Sequence, residues 1–234
     1  MRENYRMSYK VDIVFCIDAT GSMTPIISMV KNNVLKLYED VMNAMRARHK
    51  VISGMRVRIV AFRDYYADGE EAMLMSDFFN LPEEETDLKE CVDSIEAEGG
   101  GDIPEDGLEA LAYAMKSDWV KDGVKRRHVI VMCSDAPAHE IGYAVNSKYY
   151  PKGMPASFDA LSDWWGDPAC EGVMEENAKR LVIFAPSDQE CDCDGQWEKL
   201  AANWNNVIYI PSNAGEGLEG LEYEQVLATI ANTI

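Results

Sequence analysis

Asp18, Thr20 and Ser22 stand at i, i+2 and i+4 in the segment VDIVFCIDATGSM, residues 11–23. Alternate residues of an extended chain point the same way, so one carboxylate and two hydroxyls can converge on one point. Gly21 lets the chain turn tightly there. Three hard oxygens at a point suit a small hard cation, Mg²⁺ first, with Mn²⁺ or Ca²⁺ as alternatives. The plainer role for Asp18 is to cap the helix that follows.

The elements that deliver these residues are legible in the pattern. Val11, Ile13, Val14, Phe15 and Ile17 read as a buried strand ending at the chemistry. Further strands are expected at 56–62, 76–80, 128–134, 181–185 and 207–210. Helices are expected at 25–48, 86–97, 105–118, 170–179, 196–204 and 221–233. The alternation predicts an α/β fold: a doubly wound, mostly parallel six-stranded sheet with helices on both faces. The short connection from 56–62 to 76–80 makes the latter an antiparallel edge. Residues 1–8 read as a tail and 9–234 as one domain. Residues 136–169 lack a long periodic segment and are expected to be a loop. Its aromatics, Trp164 and Trp165 among them, either pack down onto the domain or form a recognition surface.

Composition narrows the classes of function. The chain has 22 basic and 41 acidic residues, a net charge of −19, which repels phosphate backbones and anionic membranes. Nucleic acid and membrane are therefore not expected partners. No apolar run is long enough to span a bilayer, and the polar start MRENYRMSYK is not a signal peptide. Cys16 and Cys133 fall in apolar strand runs, and neither the Cys191-x-Cys193 pair nor the scattered His49, His128 and His139 has zinc-site spacing. Reduced thiols in a cytoplasmic protein are expected.

Asp18-x-Thr20-x-Ser22 resembles the first element of the metal-ion-dependent adhesion site of von Willebrand factor A domains, Asp-x-Ser-x-Ser, with threonine at the middle position. RRHVIVMCSDAPAH, residues 126–139, resembles the family's fourth strand, which ends at an aspartate, here Asp135. The resemblance makes Asp135 a ligand, direct or through water, beside Asp18 where the strand order reverses. The family's third element is a threonine after a glycine pair. This chain has Gly99-Gly100-Gly101-Asp102-Ile103-Pro104-Glu105 instead. That segment looks like the variant of bacterial intracellular members such as the TerY-like tellurium-resistance proteins, and it assigns the role to Asp102. Asp102 is equally suited to cap a helix beginning near Pro104. The resemblance implies a non-enzymatic binding module, monomeric, whose ion takes an acidic side chain from a partner protein. It further implies a bacterial stress or signalling setting.

Two rival functions remain. A phosphohydrolase of the haloacid-dehalogenase type also places an aspartate after its first strand, but it wants a second acid where this chain has Thr20. A scaffold with a degenerate, empty site is the other. Two further motifs are set aside. Gly215-x-Gly217-x-x-Gly220 leaves no room to complete a dinucleotide-binding unit, and the Asp192/Asp194 run lacks the glutamate of a calcium loop, having Ala201 at its twelfth position.

Overall fold

The computed structural model describes residues 8–101, 103–169, 172–187, 195–212, 218 and 220–234. Asp102, the Cys191-x-Cys193 pair and most of the glycine motif before the last helix lie outside them.

The strand β1 (Ser8–Asp18) is buried almost throughout. Its residues alternate between two cores. Val11, Ile13, Phe15 and Ile17 face one, and Val14 and Cys16 face the other. Each core is closed by helices, which is why β1 shows a continuous apolar run rather than an alternating one. Around it lie β2 (Val51–Phe62), β3 (Met73–Met75), β4 (Phe79–Leu81), β5 (Lys125–Cys133), β6 (Lys179–Pro186) and β7 (Val207–Ser212). The sheet has seven strands in the order β3-β2-β1-β5-β6-β7, with β4 also on β2. Pairing is parallel except for β3 and β4, which run antiparallel to β2. The expected single edge strand at 76–80 is thus two short strands. Ser76 interrupts them, its hydroxyl accepting from Ile59 N at 3.0 Å and donating to Asp77 O at 2.7 Å.

The helices are α1 (Thr24–Asn33), α2 (Leu37–Ala47), α3 (Glu85–Asp93), α4 (Gly107–Met115), α5 (Phe158–Trp165), α6 (Gln196–Asn203) and α7 (Tyr223–Thr233). The helix expected over 25–48 is broken by a 3₁₀ turn, Val34–Lys36. There the Asn33 side chain bonds back to Met29 O at 2.8 Å, a local bond that competes with the helix ladder. The helix expected over 170–179 is absent among the described residues. Val173 N bonds instead to Trp164 O at 2.7 Å. A Cβ at Gly172 would come within 2.6 Å of Gly166 N, so the chain there lies flat against the end of α5. The unexpected helix, α5, sits inside the 136–169 stretch and is capped by Ser157, whose Oγ accepts from Ala160 N at 3.2 Å.

Asp12 is among the polar side chains buried in the sheet, with His128 and Lys179. Asp12, 1% exposed, is gripped by Arg56 through Nε at 2.9 Å and a terminal guanidinium nitrogen at 2.7 Å, and accepts from Val120 N at 2.7 Å.

Candidate metal centre

Strands β1 and β5 are neighbours, and their register pairs Ile17 with Cys133. The next residues, Asp18 and Ser134, therefore meet where both strands end. Ser134 Oγ donates to Asp18 Oδ2 at 2.8 Å. Thr20 turns back on the same carboxylate, with N and Oγ1 donating to Oδ1 at 2.9 and 2.7 Å. Asp18 is fully buried, Thr20 is 5% exposed, Asp135 is half-buried and Ser22 is exposed at the following 3₁₀ turn. Burial pushes the Asp18 carboxyl up to about 6, against the lowering effect of the Thr20 and Ser134 hydrogen bonds, and the Asp135 charge adds to the rise. Asp18, Thr20 and Asp135 thus share one sheet edge, with Ser22 beside them.

The glycine segment closes over this edge. Gly100 N donates to Asp68 Oδ2 at 3.1 Å. Gly100 has φ +88°, and a Cβ there would stand 3.0 Å from both Thr20 Cγ2 and Glu105 Oε1, so glycine lets the loop lie against both side chains. Helix α4 starts at Gly107 with Asp106 at its N-cap position, three residues later than a start at Pro104 implies. The cap position of α4 is Asp106.

Glu105 is the principal residue of this loop that sequence reasoning missed. It is 4% exposed, and its Oε2 has no hydrogen-bond partner among the described residues. Burial first, then the charges of Asp18, Asp64, Asp68 and Asp106, raise its carboxyl to about 9. A buried carboxyl with an orphaned oxygen, within the field of Asp18, is the surrounding a bound cation would relieve. Hydroxyl and carboxylate oxygens are the donors Mg²⁺ takes, so the residues present fit it.

A second group of side chains lies beside the first. One ligand atom each from Asp64, Asp106 and His139 lie within 4.8 Å of one another, all buried. Asp64 follows β2, Asp106 precedes α4 and His139 follows β5. The spacing of His139 from the other histidines hid this, since the three loops meet only in the folded chain.

The aromatic expectation divides. Trp165 is fully buried: its ring stacks on Trp204 at 5.1 Å and its Nε1 donates to Asn205 O at 3.0 Å. It belongs to the core. Trp164 lies under Lys116 Nζ, 3.7 Å from the ring centre. The exposed aromatics of the stretch are Tyr143, 47% exposed, and Tyr149, with Tyr66 from the β2 loop edge-on to Tyr143 at 5.4 Å.

Residues 12–141, more than half the chain, match the family described as von Willebrand factor A domain. The chain is 29% identical over 161 residues to an alpha-protein kinase, vwkA, of Dictyostelium discoideum, which covers 68% of this chain and 24% of the relative. It is 24% identical over 156 residues to a putative ariadne-like RING finger protein of Acanthamoeba polyphaga mimivirus, covering 66% of this chain and 14% of the relative. It spans a quarter or less of each of these curated relatives. In structure it is similar to the pilus adhesin SpaC of Lactobacillus rhamnosus GG, at TM-score 0.55 and 12% identity, over 96% of this chain and 30% of that one. It is also similar to proximal thread matrix protein 1 of the mussel byssus, at TM-score 0.51 and 12% identity, over 97% of this chain and 47% of that one. The family is one of protein-interaction modules, and this chain belongs to it as a von Willebrand factor A domain.

Proposed function

We propose that this domain is a metal-dependent protein-interaction module that binds a partner's carboxylate through a divalent ion at the carboxyl edge of its sheet. The observation that carries this reading is the buried Asp18, held by Thr20 and Ser134 where β1 and β5 end, with Asp135 beside it. Asp18, Thr20, Ser22 and Asp135 would hold Mg²⁺, or Mn²⁺ or Ca²⁺ in its place. The ion would supply positive charge and an open coordination position for the foreign oxygen. Asp102 enters this set through its place after the glycines, and Glu105 through its orphaned oxygen.

The domain acts without catalysis. A haloacid-dehalogenase-type reaction wants a second acid at position 20, and here Thr20 spends its hydroxyl on Asp18. The kinase and RING finger relatives favour an intracellular signalling role for such a domain, in keeping with the TerY-like glycine segment. A monomer in the cytoplasm, meeting protein and not nucleic acid, agrees with the net charge of −19. No helix among the described residues is long and apolar enough to cross a membrane. Tyr66, Tyr143 and Ile103, the last 73% exposed, offer the partner an apolar rim beside the ion.

The test is capture of a partner from the native host by wild type and by Asp135→Ala, each with Mg²⁺ and with EDTA. The reading predicts a partner retained only by wild type with Mg²⁺. Equal retention under all four conditions refutes a metal-bridged contact, and Mg²⁺-dependent turnover of a generic phosphoester refutes the non-enzymatic reading.

A further inference from the structure

We propose that Asp64, Asp106 and His139 form a second metal site, distinct from the Asp18 edge, that takes a divalent transition ion of the Zn²⁺ class. Backbone bonds weave the three loops together here. Asp106 N donates to Arg63 O at 3.4 Å, Glu105 N to Pro137 O and His139 N to Glu105 O, both at 3.0 Å. A short parallel bridge joins Glu105 to Ala138. The three side chains are thereby fixed on main chain rather than on mobile stems.

The donor geometry suits an ion. His139 Nε2 lies 3.2 Å from Asp64 Oδ2. Two ligands about 2.05 Å from a tetrahedral Zn²⁺ stand roughly 3.3 Å apart. The ligands are also oriented from outside, as metal ligands are. Asp64 Oδ1 accepts from Tyr66 N at 2.6 Å and Ala67 N at 2.7 Å, leaving Oδ2 turned inward. Asp106 Oδ2 accepts from Tyr65 N at 2.7 Å. Tyr143 stacks flat on the His139 ring at 3.7 Å.

A second observation is independent of the trio. Glu105 and Glu109 flank Asp106 in sequence, are 4% and 0% exposed, and each keeps one carboxylate oxygen without a partner among the described residues. Glu109 Oε1 is held by Gly142 N at 2.9 Å and Tyr150 Oη at 2.8 Å, so its orphaned Oε2 is fixed in place. Asp64 and Asp106 place two carboxylates on one histidine, a charge that a divalent ion neutralises. The imidazole nitrogen selects a transition ion over Mg²⁺, whereas the Asp18 edge offers oxygen alone. Tyr143, 47% exposed, stacks on the His139 ring, and Tyr66, 51% exposed, meets Tyr143 edge-on.

The test uses the full chain, stripped with chelator, and Zn²⁺ or Co²⁺ alone as the probe. The proposal predicts one tight equivalent per chain, with visible Co²⁺ ligand-field bands and no thiolate charge-transfer band. Binding persists in Asp18→Ala and weakens by more than about 100-fold in His139→Gln and in Asp106→Asn. Circular dichroism of the stripped variants checks folding, and Asp106→Asn, whose amide oxygen still accepts from Tyr65 N, carries the test should His139→Gln unfold. No Zn²⁺ bound by the folded wild type, a thiolate band, or binding lost in Asp18→Ala but kept in His139→Gln would each overturn the proposal. The last of these would leave the Mg²⁺ reading of the Asp18 edge intact. Conversely, loss of the Mg²⁺ response alone counts against that reading and not against this site.

Discussion

Ser134 gives its hydroxyl proton to Asp18 Oδ2 across the seam between two parallel strands, at 2.8 Å, and lies 3.1 Å from Ala136 O as well. The hydroxyl can therefore serve either acceptor. With an asparagine at position 18, the amide would donate to Ser134 Oγ, and the Ser134 proton would turn to Ala136 O. No buried polar atom need be orphaned. Asp18→Asn is thus expected to fold, to raise the melting temperature of the chelated chain at pH 8, and to abolish any response to Mg²⁺. Thermal melts of both proteins with EDTA and with Mg²⁺ check this. A chelated variant less stable than wild type contradicts the assigned hydrogen bonding.

The raised Asp18 carboxyl sets a pH dependence. Its folded pKa, about 6, lies above the ordinary 3.8. Between those values the folded chain holds a proton that the unfolded chain has lost, so this contribution to stability is full below about 4 and lost as pH rises through 6. Binding a cation needs the ionised form. The rise in melting temperature given by Mg²⁺ should therefore be large at pH 8 and shrink toward pH 5, with apparent affinity falling about tenfold per pH unit below 6 for this one group. A Mg²⁺ shift independent of pH would separate the ion from Asp18.

Glu105 tests the glycine loop. Its carboxyl, raised to about 9, is protonated in the chelated fold at pH 7, so Glu105→Gln preserves the shape of that state. The variant should melt at or above the wild-type temperature with EDTA and show a smaller gain with Mg²⁺. Calorimetry at pH 8 gives the same comparison, and an undiminished Mg²⁺ affinity would remove Glu105 from the site.

Trp165 and Tyr143 give opposite results. Trp165 fills the core against Trp204, so Trp165→Ala is expected to cost about 3–5 kcal/mol of stability, seen as a lower denaturant midpoint. Tyr143→Ala opens surface instead and should change stability far less while weakening partner capture. Reversed effects would show that the rim lies elsewhere.

How much was visible beforehand depended on whether neighbours in sequence were neighbours in space. The run Val11–Ile17 and the abrupt Asp18-x-Thr20-x-Ser22 were local, and so was the strand leading to Asp135. The doubly wound order then followed from alternation. Helix α5 was missed: 136–169 read as a loop because its glycines and prolines hid the short segment in which Ser157 caps Phe158, Leu161 and Trp165 at helical spacing. The opposite error, a helix over 170–179, came from pattern alone, because nothing local reveals that Gly172 must pack on Gly166. Glu105, Asp64 and His139 were out of reach for another reason. Their roles arise from three loops joined by backbone hydrogen bonds, and no spacing within one loop encodes that meeting.

The central claim is that the Asp18 edge holds a divalent ion in the folded chain. Its most direct measurement is calorimetric titration of Mg²⁺ into the chelated full chain at pH 8, paired with melting, for wild type and Asp18→Ala. The account predicts one Mg²⁺ per chain at this edge. At a free concentration 100 times the dissociation constant it predicts about 2.7 kcal/mol of added stability, roughly 5–10 °C for a domain of this size, all of it absent in Asp18→Ala. No heat and no melting shift with Mg²⁺, Mn²⁺ or Ca²⁺, or an equal response from Asp18→Ala, would contradict it.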